Sequence, residues 1–197
     1  MSNDTSLQQI ETRFGTLEFK SGYPTDETAQ KLYDELDFQR AVQAYLWALP
    51  MASYGAMVDE AIAHGAGPNT VHINEKSALP HTKLLTGNQD TPYMSGVMDL
   101  RDGPMVMVLP AGLLGTFCNI WEQPLTDLGG PYSPEQSRGG RFLILPPGYD
   151  GPLPAAHHHI VQSDTNTIFW YVRAFPRTRA DFPKLVEHMK TCQQYKL

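Results

Sequence analysis

TGNQDTPYMSGVMDLRDGPMVMVLP, residues 86–110, sets a polar loop, an alternating segment, a turn and an apolar run end to end. In an extended chain Tyr93, Ser95, Val97 and Asp99 share one face, and Met94, Gly96, Met98 and Leu100 the other. Arg101-Asp102-Gly103-Pro104 reads as a turn, because Asp-Gly tolerates positive φ and proline fixes the next φ. Met105 to Leu109 is unbroken apolar sequence, short enough for a strand buried on both faces, and Pro110 with Gly112 stops it. The expected product is a β-hairpin. Ahead of it, Gly87 to Pro92 gathers side chains that hydrogen-bond nearby backbone, and Pro92 pushes Thr91 extended. That loop is expected to be stiff, with the Asp90 carboxylate held in place.

Outward from this stretch, the pattern divides the chain. Residues 1–24 hold Phe14, Leu17 and Phe19 among polar neighbours, which predicts one edge strand over Glu11 to Ser21, closed by Gly22-Tyr23-Pro24. Residues 25–67 are helical in period: Ala29, Leu32, Tyr33 and Leu36, then Phe38, Val42, Tyr45 and Leu49, then Met51, Tyr54, Val58 and Ile62 beyond Pro50. Two or three amphipathic helices capped by Thr25 or Asp26 follow, laid on a sheet. Residues 68–180 supply that sheet, with strands expected at His81–Leu85, Tyr93–Leu100, Met105–Leu109, Thr116–Trp121, Arg141–Leu145, His157–Gln162 and Thr167–Phe175. Pro124 to Gly140 shows no period and reads as a long irregular loop. Residues 181–197 form a helix or linker capped by Asp181, with Leu185, Val186 and Met189 on one face awaiting a further domain. The fold class is α+β and predominantly β: an antiparallel β-sandwich or jelly-roll-like core with an N-terminal helical layer and a short C-terminal helix.

With 197 residues the chain can bury a core without disulfides. Its 18% charged residues fall below the usual quarter, while 16 Gly and 16 Pro favour turns between short strands. A net charge of −6 without a Lys/Arg cluster argues against nucleic acid or an anionic membrane as partner. The two cysteines, Cys118 and Cys192, make no framework and read as reduced thiols. MSNDTSLQQIETRF has no basic and apolar leader, so the sequence as written predicts a cytoplasmic protein, or a periplasmic one if the N-terminus is incomplete.

Asn88-Gln89-Asp90-Thr91-Pro92-Tyr93, then Asp99-Leu100 and Gly103-Pro104-Met105-Val106, resemble the bacterial family of domain of unknown function 1254. The resemblance continues through Arg141 to Gly151, which ends in Pro147-Gly148-Tyr149-Asp150-Gly151, and through Ser163-Asp164-Thr165-Asn166. It carries no catalytic motif. It implies a second β-rich domain, numbered 1214, beyond Leu197, and often an export signal, which this sequence lacks.

Several side chains are candidates for chemistry. Asp90, among Asn88, Thr91 and Tyr93, could act as general base or metal ligand; an Asx-type turn is the structural alternative. His157 and His159 would share a strand face and suit a divalent metal, with His72, His81, Asp90 or Glu122 as a third ligand; a hydrophilic half-exposed strand is the alternative. Trp121, Glu122 and Asp127 open the irregular loop, where an aromatic wall and carboxylates could stand at a pocket mouth. Arg141 and Arg173 could hold a carboxylate ligand or make ordinary ion pairs. No phosphate loop, nucleophile elbow or His-Glu-x-x-His helix occurs. Two functions stand open: a protein that binds or acts on a small organic molecule through loops at one end of the sandwich, or a non-catalytic module that packs on a second domain or forms a homo-oligomer.

Overall fold

The computed structural model describes residues 6–63, 67–75, 86–155 and 158–197. They form two compact units, Met1–Leu49 and Pro50–Leu197. In the first, β1 (Leu7–Thr12) and β2 (Gly15–Lys20) pair antiparallel, and β3 (Tyr23–Pro24) adds a short third strand. The single edge strand expected over Glu11 to Ser21 is therefore a hairpin, turned where Gly15 takes a φ of 109°. Thr25 caps α1 (Asp26–Ala63), its hydroxyl accepting the Thr28 N–H at 3.2 Å.

Where two or three helices are expected, α1 runs as one helix of 38 residues through Pro50. An internal proline loses one backbone hydrogen bond and crowds the preceding turn, at roughly 3 kcal/mol. One turn later Tyr54 is buried, with its ring centroid 4.7 Å from that of Phe169 in an edge contact. Packing of this kind outweighs the local preference.

In the second unit β4 (Val71–Asn74), β5 (Tyr93–Asp99), β11 (Thr167–Arg173), β7 (Leu114–Asn119) and β8 (Pro124–Gly129) lie side by side in that order, all antiparallel. A second sheet runs β10 (His159–Gln162), β9 (Gly140–Leu145), β6 (Met105–Leu109) and β12 (Gln193–Lys196), antiparallel except for β9 with β10. The two sheets meet across one core. Met94, Met98, Phe117, Ile168 and Trp170 face it from the first, and Met105, Met107, Phe142, Ile144 and Val161 from the second. A smaller cluster of Val106, Leu143 and Leu145 covers the other face of β6 and β9, so Met105–Leu109 is a strand buried on both sides. With twelve strands in three sheets among the described residues, the fold is α+β and predominantly β.

The hairpin expected from Tyr93 to Leu109 does not form. β5 and β6 belong to different sheets, and the turn at Arg101–Pro104, with Gly103 at a φ of 123°, carries the chain across the sandwich. Both strands face the one core, from opposite sheets, and adjacency in sequence does not dictate pairing. Three strands also appear where none is expected. Val71–Asn74 is one, Gln193–Lys196 another, and Pro124–Gly129 occupies the start of the segment read as an irregular loop. That segment is pinned from inside by Glu135, buried, whose carboxylate accepts the Gly129 N–H. The strand expected at His81–Leu85 lies outside the described residues.

The last helix, α2 (Phe182–Met189), buries Val186 and Met189 in the core, with Leu185 packed against it. Its apolar face is thus covered by the chain's own sandwich. Asp181 turns its carboxylate back to the N–H groups of Arg177 and Thr178, at 3.0 and 2.8 Å. Among the described residues no helix is long and apolar enough to cross a membrane.

Candidate functional site

The outer face of the five-stranded sheet carries what the inner face does not. On β5 the residues buried in the core alternate with Tyr93, Ser95, Val97 and Asp99, and on β11 with Phe169 and Tyr171. The register sets these outward residues in rows: His72 beside Ser95 beside Tyr171, and Val97 beside Phe169 beside Cys118. Sheet pairing thus gathers polar and aromatic side chains from four strands on one surface.

A cavity of about 540 Å³ stands on that surface. Its floor is Tyr93, Ser95, Cys118, Phe169 and Tyr171, with His72 and Asn74 along β4. Tyr54 and Met57 of α1 close one side, Thr86, Gly87 and Asn88 another, and Glu122 stands at the turn between β7 and β8. Tyr54 is 2% exposed, yet among the described residues its hydroxyl has no hydrogen-bond partner. A buried hydroxyl left unpaired costs stability unless something supplies the bond.

Glu122 is placed by a neighbour. Its φ of 59° is left-handed, which a residue with a Cβ rarely adopts. Buried Asn119 holds the turn: its side-chain oxygen accepts the N–H groups of Trp121 and Gln123 at 2.9 and 3.0 Å. Its amide nitrogen donates to Gln123 at 2.8 Å and to Asp164 at 2.9 Å. The acids around the carboxylate are perturbed. Burial above all, then Cys118, Glu122 and Tyr171, pushes the Tyr54 phenol well above its ordinary range. Burial first, and Glu122 to a lesser degree, raises the Cys118 thiol, against a hydrogen bond with Thr116 that lowers it. Tyr171 is raised by burial first, then by Cys118, Tyr93 and Glu122. These groups stay protonated at neutral pH and present hydroxyl and thiol hydrogens beside one carboxylate.

Of the residues singled out in the sequence, Asn88, Tyr93, Glu122 and His72, the last named as a possible third metal ligand, line the cavity. Asp90 does not: Asn88 accepts the Asp90 N–H at 2.7 Å, so the Asx turn belongs to Asn88, and exposed Asp90 faces a shallow groove with Arg177 and Arg179. Thr91 is half-buried, its hydroxyl unpaired among the described residues. Trp121 is half-buried in the β7–β8 turn, and Asp127 is exposed on β8 opposite Thr116. Arg141 is exposed on the other sheet, and Arg173 lies 5.1 Å from the Phe175 ring. His159 packs against Phe142 with ring centroids 5.2 Å apart and planes tilted by 42°, while His157 and His81 lie outside the described residues. Among the described residues no three His, Cys, Asp or Glu side chains gather as a metal-ligand set.

Tyr54, Met57, Asn74, Thr86, Gly87, Ser95, Cys118, Phe169 and Tyr171 complete the lining without having been marked as site residues. The outward parity of the strands was the available signal for Ser95, Phe169 and Tyr171. The rest depend on pairing.

A family model described as Protein of unknown function (DUF1254) matches residues 68–196. No curated protein matches the chain. Among solved structures, the crystal structure of the VPA0106 protein from Vibrio parahaemolyticus is similar, with a TM-score of 0.61 at 17% identity. The alignment covers 78% of this chain and 37% of that one, so this chain spans little more than a third of that protein. At this identity the likeness is one of fold.

Proposed function

The chain belongs to the family described as Protein of unknown function (DUF1254), a membership that brings no activity with it, and we propose from the site's geometry that it binds a small organic molecule in the cavity over the five-stranded sheet. The observation that carries this reading is the lining of the cavity, which sets apolar Met57 and Phe169 beside polar Asn88, Ser95 and Glu122. A ligand with one polar group among apolar atoms would bond to those polar side chains while covering Met57 and Phe169. Volume agrees: about 540 Å³ falls within the range of small-molecule sites. The mixed lining agrees as well, since a few convergent polar groups on an apolar wall fix orientation.

Cys118 lies in the cavity lining and reports on entry. In a Cys192→Ala background, methyl methanethiosulfonate should modify Cys118 in the folded protein, at a rate unchanged by urea well below the unfolding transition. Cys118 reacting only as the chain unfolds would show that no organic molecule of this size enters, and the reading would fall.

A further inference from the structure

Resting on that cavity being a ligand site, we propose that its ligand is an organic ammonium ion, seated on aromatic faces with Glu122 as its counter-charge. Tyr54 and Phe169 stand at 85° with centroids 4.7 Å apart, and Phe169 and Tyr171 at 47° and 5.9 Å. Tyr54 is all but inaccessible, so the aromatic surface left to the cavity is that of half-buried Phe169 and of Tyr171, 40% exposed. Those faces carry negative potential and attract a cation stripped of some of its water.

Charge selects in the same direction. Among the described residues the lining includes no Lys or Arg, and Glu122 is its one carboxylate. Glu122 is exposed to solvent, so it acts on a ligand as it enters, and an anion would meet that carboxylate with no Lys or Arg of the lining to balance it. The backbone adds an independent reason: Glu122 occupies a left-handed position that glycine or asparagine would hold with less strain. Four side-chain hydrogen bonds from Asn119 keep the turn in place.

The test uses three methanethiosulfonates of different charge on Cys118 in the Cys192→Ala protein: methyl, trimethylammonioethyl and sulfonatoethyl. Each rate is divided by the same reagent's rate with a small free thiol, and the ratio of cation to anion is taken, which cancels any change in thiol ionisation. We expect a ratio of at least ten-fold, falling to within three-fold of unity in Glu122→Gln. Phe169→Leu, which keeps bulk and removes the π face, should lower it several-fold. If the methyl reagent reacts but the charged pair shows no cation preference, the ammonium reading is overturned and the binding cavity stands. A ratio insensitive to Glu122→Gln or to Phe169→Leu overturns the proposed seat. Failure of the methyl reagent itself removes the cavity reading, and this one with it.

Discussion

Asn119 shows how a single buried amide can set the geometry of a site. Its oxygen takes two backbone N–H groups and its nitrogen bridges to Asp164, so one side chain fixes the turn that carries Glu122. Asn119→Ala would strand both N–H groups, and the expected loss is about 2–4 kcal/mol, read as a lower urea midpoint at unchanged slope. Glu122→Gly should act the opposite way, because the left-handed φ of 59° costs a residue with a Cβ about 1–2 kcal/mol. Part of that returns as extra chain entropy, so a gain of about 1 kcal/mol is expected, together with loss of the cavity's charge preference. A destabilised Glu122→Gly protein would show that the carboxylate, not the backbone, holds the turn. At this scale the sequence named both Asn88 and Asp90 as site candidates, and the structure separates them. Asp90 and Asn88 are two residues apart, but the Asn88 amide takes the Asp90 N–H, and it is Asn88 that lines the cavity. Which of two such neighbours turns inward depends on a hydrogen bond that spacing alone does not specify.

At the scale of elements, apolar pattern decides more than propensity does. β6 was readable as a doubly buried strand because Met105 to Leu109 has no polar residue to offer solvent. Met107 is fully buried, so Met107→Asp places an unpaired carboxylate in the core at a cost of several kcal/mol. The variant should fail to fold, and a cooperative thermal transition in soluble Met107→Asp protein would contradict the packing. What the pattern left out were partners. β4 and β12 are four-residue strands, β12 being mostly exposed, and they exist because β5 and β6 offer them edges. Trp170 makes the same point. Its indole donates to Gln194 at 2.8 Å across the sandwich, and a Cβ on Gly96 would come within 2.8 Å of its ring. Neither contact leaves a trace in local sequence, because its halves come from strands far apart along the chain. Pro50 is the converse case, a strong local stop signal overridden within a continuous helix.

For the molecule as a whole, the perturbed acids predict which end of the pH scale is dangerous. Burial pushes the Cys192 thiol up to about 12 from an ordinary 9.0, and raises Cys118, Tyr54 and Tyr171 as well. Each of these is an acid whose native pKa lies above its unfolded one. Below pH 9 both states hold the proton, and the full stabilisation is present. As pH rises beyond 9 the unfolded chain releases protons that the native chain keeps, so stability falls until the native groups ionise too. Within that window each buried thiol contributes a slope on the order of 1 kcal/mol per pH unit. The depressed carboxyls lie at the surface: Asp99 is held low chiefly by its side-chain bond to Arg101, and Asp181 by the Thr178 N–H. The acid limb from these groups should therefore be shallow, since surface pairs are well screened. Urea midpoints at pH 7, 8.5, 9.5 and 10.5, with ionic strength fixed so that repulsion from the growing negative charge stays screened, should be level at first and then decline. Cys192→Ala removes the largest thiol contribution and should flatten the decline above pH 9, whatever it costs at pH 7 through the lost sulfur. A wild-type midpoint that stays level to pH 10.5 would mean that these thiols and phenols reach water in the native protein, and that the cavity wall and the packing around Cys192 are looser than the buried arrangement described.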